Sequence, residues 1–137
     1  MTAVAAPGLR AGTLRRRPPS APQVRVAHLV VDTADLDRAV TFWSALLELP
    51  VEAFGADWAD LAPLGDGGPV LAFQAVPEVK AGKNRLHLDL AVADVEAAAD
   101  YAMWLGASAV TPVQGAPGRT WQVWRDPEGN EFCLVTS

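Results

Sequence analysis

The stretch "HLVVDTADLDRAVTFWSALLE" (28–48) lies without a gap over "HLDLAVADVEAAADYAMWLGA" (87–107) when the chain is shifted by 59 positions. His28 falls on His87, Leu29 on Leu88, Ala34 on Ala93, Asp35 on Asp94, Ala39 on Ala98 and Leu46 on Leu105. A shift that preserves one pattern over such a length marks an internal repeat. Each copy opens with period-two alternation, over 24–31 and 85–91, which predicts a half-buried strand. A helix then starts at Asp35 or Asp94, whose carboxylate can accept from the free N–H groups of the first turn. Leu36, Ala39, Val40, Trp43, Leu46 and Leu47 form one apolar stripe, and Val95, Ala98, Ala99, Ala102 and Leu105 form its counterpart. Pro50 and Gly106 stop the two helices.

Short strands follow each helix, at 51–54, 58–62 and 69–76 in the first copy and at 108–113, 119–125 and 131–136 in the second. "GDGG" (65–68) and "DPEGN" (126–130) are turns, and "PEVKAGKN" (77–84) connects the copies. The expected fold is therefore α+β, two tandem βαβββ modules. A helix covers only one face of each sheet, so pairing the two copies covers the rest and encloses a central cavity within a curved mixed sheet.

A length of 137 residues suits one compact domain, placed at 24–136 with modules 24–76 and 85–136. Residues 1–23, rich in Ala, Pro, Gly and Arg and without hydrophobic periodicity, are expected to be a disordered basic tail. No apolar run approaches the roughly 20 residues of a membrane span, and a net charge of −5 gives no reason to expect nucleic acid. The single cysteine, Cys133, excludes an internal disulfide and fits a reducing cytoplasm.

Strand parity selects the candidate site, because alternate residues point to opposite faces. Ala27, Leu29 and Val31, like Leu86, Leu88 and Leu90, suit the helix side, which sends His28 and His87 to the other face. Leu71 and Phe73, and Phe132 and Leu134, go with the helix side, leaving Gln74, Val76, Glu131 and Cys133 inward. The inward polar set is His28, Gln74, His87 and Glu131. Two imidazoles and a carboxylate, with a glutamine as optional fourth ligand, can hold a divalent transition metal such as Zn, Ni, Fe or Mn in preference to Ca or Mg. Asp89 faces the same way as His87 and either orients it or pairs with Arg85 or Lys83. Cys133 reads as a small buried hydrophobe. Trp43 and Trp104 read as helix packing, whereas Trp58, Trp121 and Trp124 sit on strands and can wall a pocket. Arg119 and Arg125 flank the strand at 119–125, where Arg125 is a candidate for recognising an acidic ligand.

The repeat, its strand histidines and "DPEGNEF" (126–132) before the last strand resemble the vicinal oxygen chelate superfamily, over about 24–136. Its members include glyoxalase I, extradiol dioxygenases and the bleomycin-resistance proteins, and the small glyoxalase-like proteins are most similar. The resemblance implies metal ligands on the first and last strands of each half, here His28, Gln74, His87 and Glu131. Gln74 departs from the commoner glutamate. It further implies a metal-dependent isomerase, epimerase or lyase acting on a small substrate with vicinal oxygens, the metal serving as Lewis acid and Glu131 as base. The alternatives are a metal-free protein that sequesters a small molecule, as in bleomycin resistance, and an Fe(II) extradiol-type dioxygenase. A homodimer is also in keeping with the superfamily.

Overall fold

The structure is a computed structural model that describes residue 23 and residues 25–136, so the expected tail at 1–23 falls almost wholly outside the described residues. The first module comprises β1 (His28–Thr33), α1 (Leu36–Leu47), β2 (Val51–Phe54), β3 (Trp58–Leu61) and β4 (Val70–Ala75). The second comprises β5 (Leu88–Ala91), α2 (Val95–Trp104), β6 (Ser108–Ala109), β7 (Gln114–Ala116), β8 (Arg119–Arg125) and β9 (Glu131–Val135). The strands form two mixed sheets of matching topology, β1-β4-β3-β2 and β5-β9-β8-β6, with β7 also on β8. In each, the first strand runs parallel to the last and the remaining pairs are antiparallel.

Both helices begin where the aspartates direct. Asp35 accepts from the Arg38 N–H at 3.0 Å and Asp94 from the Glu96 N–H at 2.9 Å. The first helix ends before Pro50, because Glu48 turns into the left-handed region at φ 53° and its N–H bonds the Ala45 carbonyl. Three boundaries differ from expectation. The first strand runs His28–Thr33 rather than 24–31, so Ala27 precedes it and is exposed instead of lying on the helix side. β5 starts at Leu88 rather than residue 85, so Leu86 is 70% exposed instead of lying under the helix. The expected strand at 108–113 stops at Ala109, and residues 114–116 pair with β8 instead.

The apolar stripes meet in one core cluster that runs through both modules. Leu36, Ala39, Val40 and Trp43 of α1 are buried against Ala59, Leu61, Leu71 and Phe73, and Val95 and Ala102 of α2 join Trp124, Phe132 and Leu134. Trp124 is thus core, not pocket wall. The modules interlock through α1, since Phe42 and Trp43 lie with ring centroids 6.0 Å and 5.2 Å from that of Phe132 on β9. The repeat places Tyr101 where α1 has Phe42, yet Phe42 is buried and Tyr101 is 43% exposed. The first helix has the second module to lean on, whereas α2, the last helix, leaves that side open. Trp104, expected to support α2 by packing, is instead exposed and stacks on Tyr101 at 6.0 Å. Among the described residues no helix is long and apolar enough to cross a membrane.

Polar contacts lock the same junction. Asp126, 3% exposed, accepts from the Trp43 indole N–H at 3.0 Å, from the backbone N–H groups of Glu128 and Asn130, and from the Asn130 amide. One carboxylate therefore shapes the 126–130 turn and anchors α1 to it. Arg38 on α1 donates to Glu128 at 2.9 Å, and Glu128 also accepts from the Ala34 N–H. Burial works against ionising Glu128, but its hydrogen bonds with Arg38, Thr33 and Ala34 outweigh that and hold its carboxyl below the ordinary glutamate value.

Asp126→Ala leaves several buried donors unpaired, and is expected to lower unfolding free energy by about 3 kcal/mol in urea titration, with Asp126→Asn retaining part of it. For Glu128, a folded-state value below the unfolded one gives stability that is present above about pH 4.3 and is lost as pH falls through the folded value. The stability difference between the wild type and Glu128→Gln is accordingly expected to be full at neutral pH and to shrink on acidification. Thermal unfolding at a series of pH values checks this, and a difference constant down to pH 2 contradicts it.

Candidate functional site

Two hollows that border the second module gather polar side chains. A cleft of about 590 Å3 lies between the two edge strands β1 and β5, beneath the connecting segment. Its floor is apolar, with Leu29, Val31, Leu71 and Leu88; Lys80, Lys83 and Arg85 supply cations from the segment before β5, and Asp32, Glu78, Glu128 and Glu131 add carboxylates to the lining. A shallower hollow of about 440 Å3 lies on the face of the second sheet away from α2, where His87, Asp89, Cys133, Trp121 and Arg119 meet. His87 borders both hollows.

Register explains which polar groups come together. In the first sheet Leu29 lies opposite Leu71, Val30 opposite Ala72 and Asp32 opposite Gln74. In the second, Leu88 lies opposite Phe132, Asp89 opposite Cys133 and Ala91 opposite Val135. With Leu29 equivalent to Leu88 in the repeat, Gln74 matches Val135 and not Glu131, while Ala72 matches Cys133. Gln74 and Glu131 are not equivalent positions, as parity alone suggested. Gln74 is four register steps from Val70, the partner of His28, which is about 13 Å along the strand.

His28 sits with its own neighbours on the open face of the first sheet. Its Nε2 is 4.0 Å from Asp60 Oδ1, and its ring lies edge-on to Trp58 at 6.2 Å. Trp58, half-buried, donates its indole N–H to the same Asp60 oxygen at 2.8 Å. Glu131 accepts from Lys83 at 2.8 Å and lies 3.6 Å from Arg125, which is how Arg125 is employed. The hydrogen bond from Lys83 leads in holding the Glu131 carboxyl below its usual range, with Lys83, Arg125 and Lys80 adding their charge against partial desolvation. His28, Gln74, His87 and Glu131 thus do not converge: among the described residues the one group of three or more His, Cys, Asp or Glu ligand atoms close enough to share an ion is His87, Asp89 and Cys133.

Those three atoms lie within 4.8 Å of one another, and His87 Nε2 is 3.2 Å from Asp89 Oδ1. Burial pushes the Cys133 thiol up, and the Asp89 carboxylate beside it raises it further. Sequence reading gave Asp89 and Cys133 other duties, an orienting or pairing role and a packing role. The missing signal was register. Parity put both residues on the inward face, but only the pairing of β5 with β9 sets them opposite each other.

The glyoxalase-like domain family matches residues 28–135. No curated protein matches the chain. Among solved structures, a glyoxalase-related enzyme from Fulvimarina pelagi is 16% identical with a TM-score of 0.69, covering 82% of this chain and 88% of its own. A glyoxalase/bleomycin resistance protein/dioxygenase family enzyme from Burkholderia phytofirmans PsJN is 16% identical with a TM-score of 0.67, covering 80% and 95%. A glyoxalase/bleomycin resistance protein/dioxygenase from Nocardioides is 16% identical with a TM-score of 0.65, covering 85% of each chain. At such identities these structures speak for the fold, and the family match speaks for membership. The chain, whose two modules each open with a strand and a helix and close on a last strand parallel to the first, belongs to the glyoxalase-like domain family of the vicinal oxygen chelate superfamily.

Proposed function

We propose that the protein binds a small amphiphilic acid in the cleft between β1 and β5, the junction of modules 24–76 and 85–136 within one domain spanning 24–136. The observation that carries this reading is the cleft itself. About 590 Å3 falls within the 300–1,000 Å3 typical of small-molecule sites. An apolar floor with Lys80, Lys83 and Arg85 along one rim suits an apolar body with one anionic group, because Glu128 and Glu131 of the same lining are engaged by Arg38 and Lys83. The description of the structural relatives as glyoxalase-related enzymes supports a small organic ligand. Leu29, Val31 and Leu88 would take the carbon skeleton, and Lys83 and Arg85 the carboxylate.

Glu131 has a different part from the general base expected of it. A carboxylate held below its ordinary range by Lys83 and Arg125 stays ionised and is a weak acceptor of substrate protons. Its role in this reading is to position Lys83 at the edge of the cleft. The metal-dependent isomerase or lyase expected from the superfamily is a second reading. The quartet of His28, Gln74, His87 and Glu131 does not fit a metal within this chain, so no step is routed through it. What favours metal chemistry is the separate cluster of His87, Asp89 and Cys133.

Ligand-detected NMR with a panel of small hydroxy-, oxo- and aromatic carboxylic acids tests the first reading. At least one acid is expected to bind, and Lys83→Ala/Arg85→Ala is expected to weaken it by about tenfold or more through loss of charge-assisted hydrogen bonds. Leu29→Trp, which fills the floor, is expected to abolish binding in a chain whose circular dichroism is unchanged. An absence of binding at millimolar concentrations, or binding that ignores both variants, overturns the proposal.

A further inference from the structure

The repeat makes the two open sheet faces comparable position by position, and they differ in one respect that chemistry can use. Where the first module has His28, Val30 and Ala72, the second has His87, Asp89 and Cys133. The second set brings an imidazole nitrogen, a carboxylate oxygen and a thiol sulfur within 4.8 Å of one another. We propose that His87, Asp89 and Cys133 hold a thiophilic divalent cation, Zn2+ in the first instance, with the remaining coordination position open to the hollow on the second sheet.

Three features support the site. The first is spacing. A tetrahedral ion about 2.0–2.3 Å from each ligand holds ligand atoms about 3.3–3.7 Å apart. His87 and Asp89 already stand at 3.2 Å, and the Cys133 sulfur lies within 4.8 Å of both. The second is the frame: Asp89 and Cys133 are register partners on parallel, hydrogen-bonded strands, so the sheet fixes the backbones that carry two of the three donors, and Cys133 is itself 9% exposed. The third is room. The hollow of about 440 Å3 in front of the cluster leaves space for water or a small anionic ligand, with Trp121 and Arg119 on its border. A thiolate and an imidazole beside a single carboxylate select Zn2+ or Co2+ over Mg2+ and Ca2+, which prefer oxygen-only shells. On binding, the metal–sulfur bond forms as the thiol proton leaves to solvent, with no change of oxidation state.

Co2+ titration of the chelator-stripped full chain tests the site directly. Cys133 is the protein's single cysteine, so a thiolate-to-cobalt charge-transfer band reports on this position alone. The expected result is a saturable band at one equivalent that Zn2+ displaces, whereas Mg2+ does not. Cys133→Ser is expected to remove the band. Asp89→Asn and His87→Gln are each expected to weaken Co2+ binding by about tenfold or more, while His28→Gln leaves it unchanged. No band at millimolar Co2+ overturns the proposal, as does a band whose midpoint is insensitive to both Asp89→Asn and His87→Gln. Circular dichroism of each variant identifies any that has lost its fold, and Asp89→Ser then serves in place of Asp89→Asn. The titration uses the metal alone, so it stands or falls separately from acid binding in the cleft.

Discussion

The buried carboxylate of Asp126 is the constraint on which the arrangement of the two modules rests. It sits at the start of the turn before β9 and gathers hydrogen bonds from that turn and from the Trp43 indole on α1. A charge buried to this degree is tolerated only when its lone pairs are occupied. The need to occupy them ties the "DPEGN" turn of the second module to the helix of the first. Phe132 follows the turn and fills the space against Phe42 and Trp43. Position of helix, turn and last strand are consequently set together, and the cleft between β1 and β5 is the gap they leave.

That interlock is directional, which accounts for the uneven use of the repeat. Phe42 on α1 is covered by the second module, and its counterpart Tyr101 on α2 has no third module to cover it. The same inequality holds on the open faces. In the first sheet, His28 lies 4.0 Å from Asp60, whose oxygen accepts from the Trp58 indole. In the second, His87 stands beside Asp89 and Cys133. Duplication supplies the scaffold twice, but the side chains on the open faces have been assigned different work. A twofold reading of the repeat, with one imidazole and one carboxylic or amide oxygen from each half, overstates the symmetry of the polar positions.

The division of charge follows from the connector. Lys80 and Lys83 lie between the modules with Arg85 just beyond them, and Lys83 reaches Glu131. This contact removes Glu131 from the list of free carboxylates and turns it into a support for cations. It is a long-range consequence of where the connector crosses, and a strand pattern carries no trace of it. In physical terms the cleft sets paired cations and carboxylates over an apolar floor, whereas the hollow on the second sheet is a mixed nitrogen, oxygen and sulfur surface.

The sequence by itself determined the repeated βαβββ order, the aspartate caps at Asp35 and Asp94, the apolar helix stripes and the parity that turns His28 and His87 away from the helices. All of these depend on local preference or on periodicity, which one chain segment expresses without reference to another. Tertiary structure alone decided which inward residues meet. Parity gives the face of a strand but not its register, so Gln74 and Glu131 looked equivalent until the pairing of β1 with β4 and β5 with β9 set Ala72 and Cys133 in matching places. Only the fold could bring Asp60 to His28 and Cys133 to the His87–Asp89 pair, because Asp60 and Cys133 arrive on other strands, 32 residues after His28 and 46 after His87. A contact at that separation is fixed by the packing of whole elements.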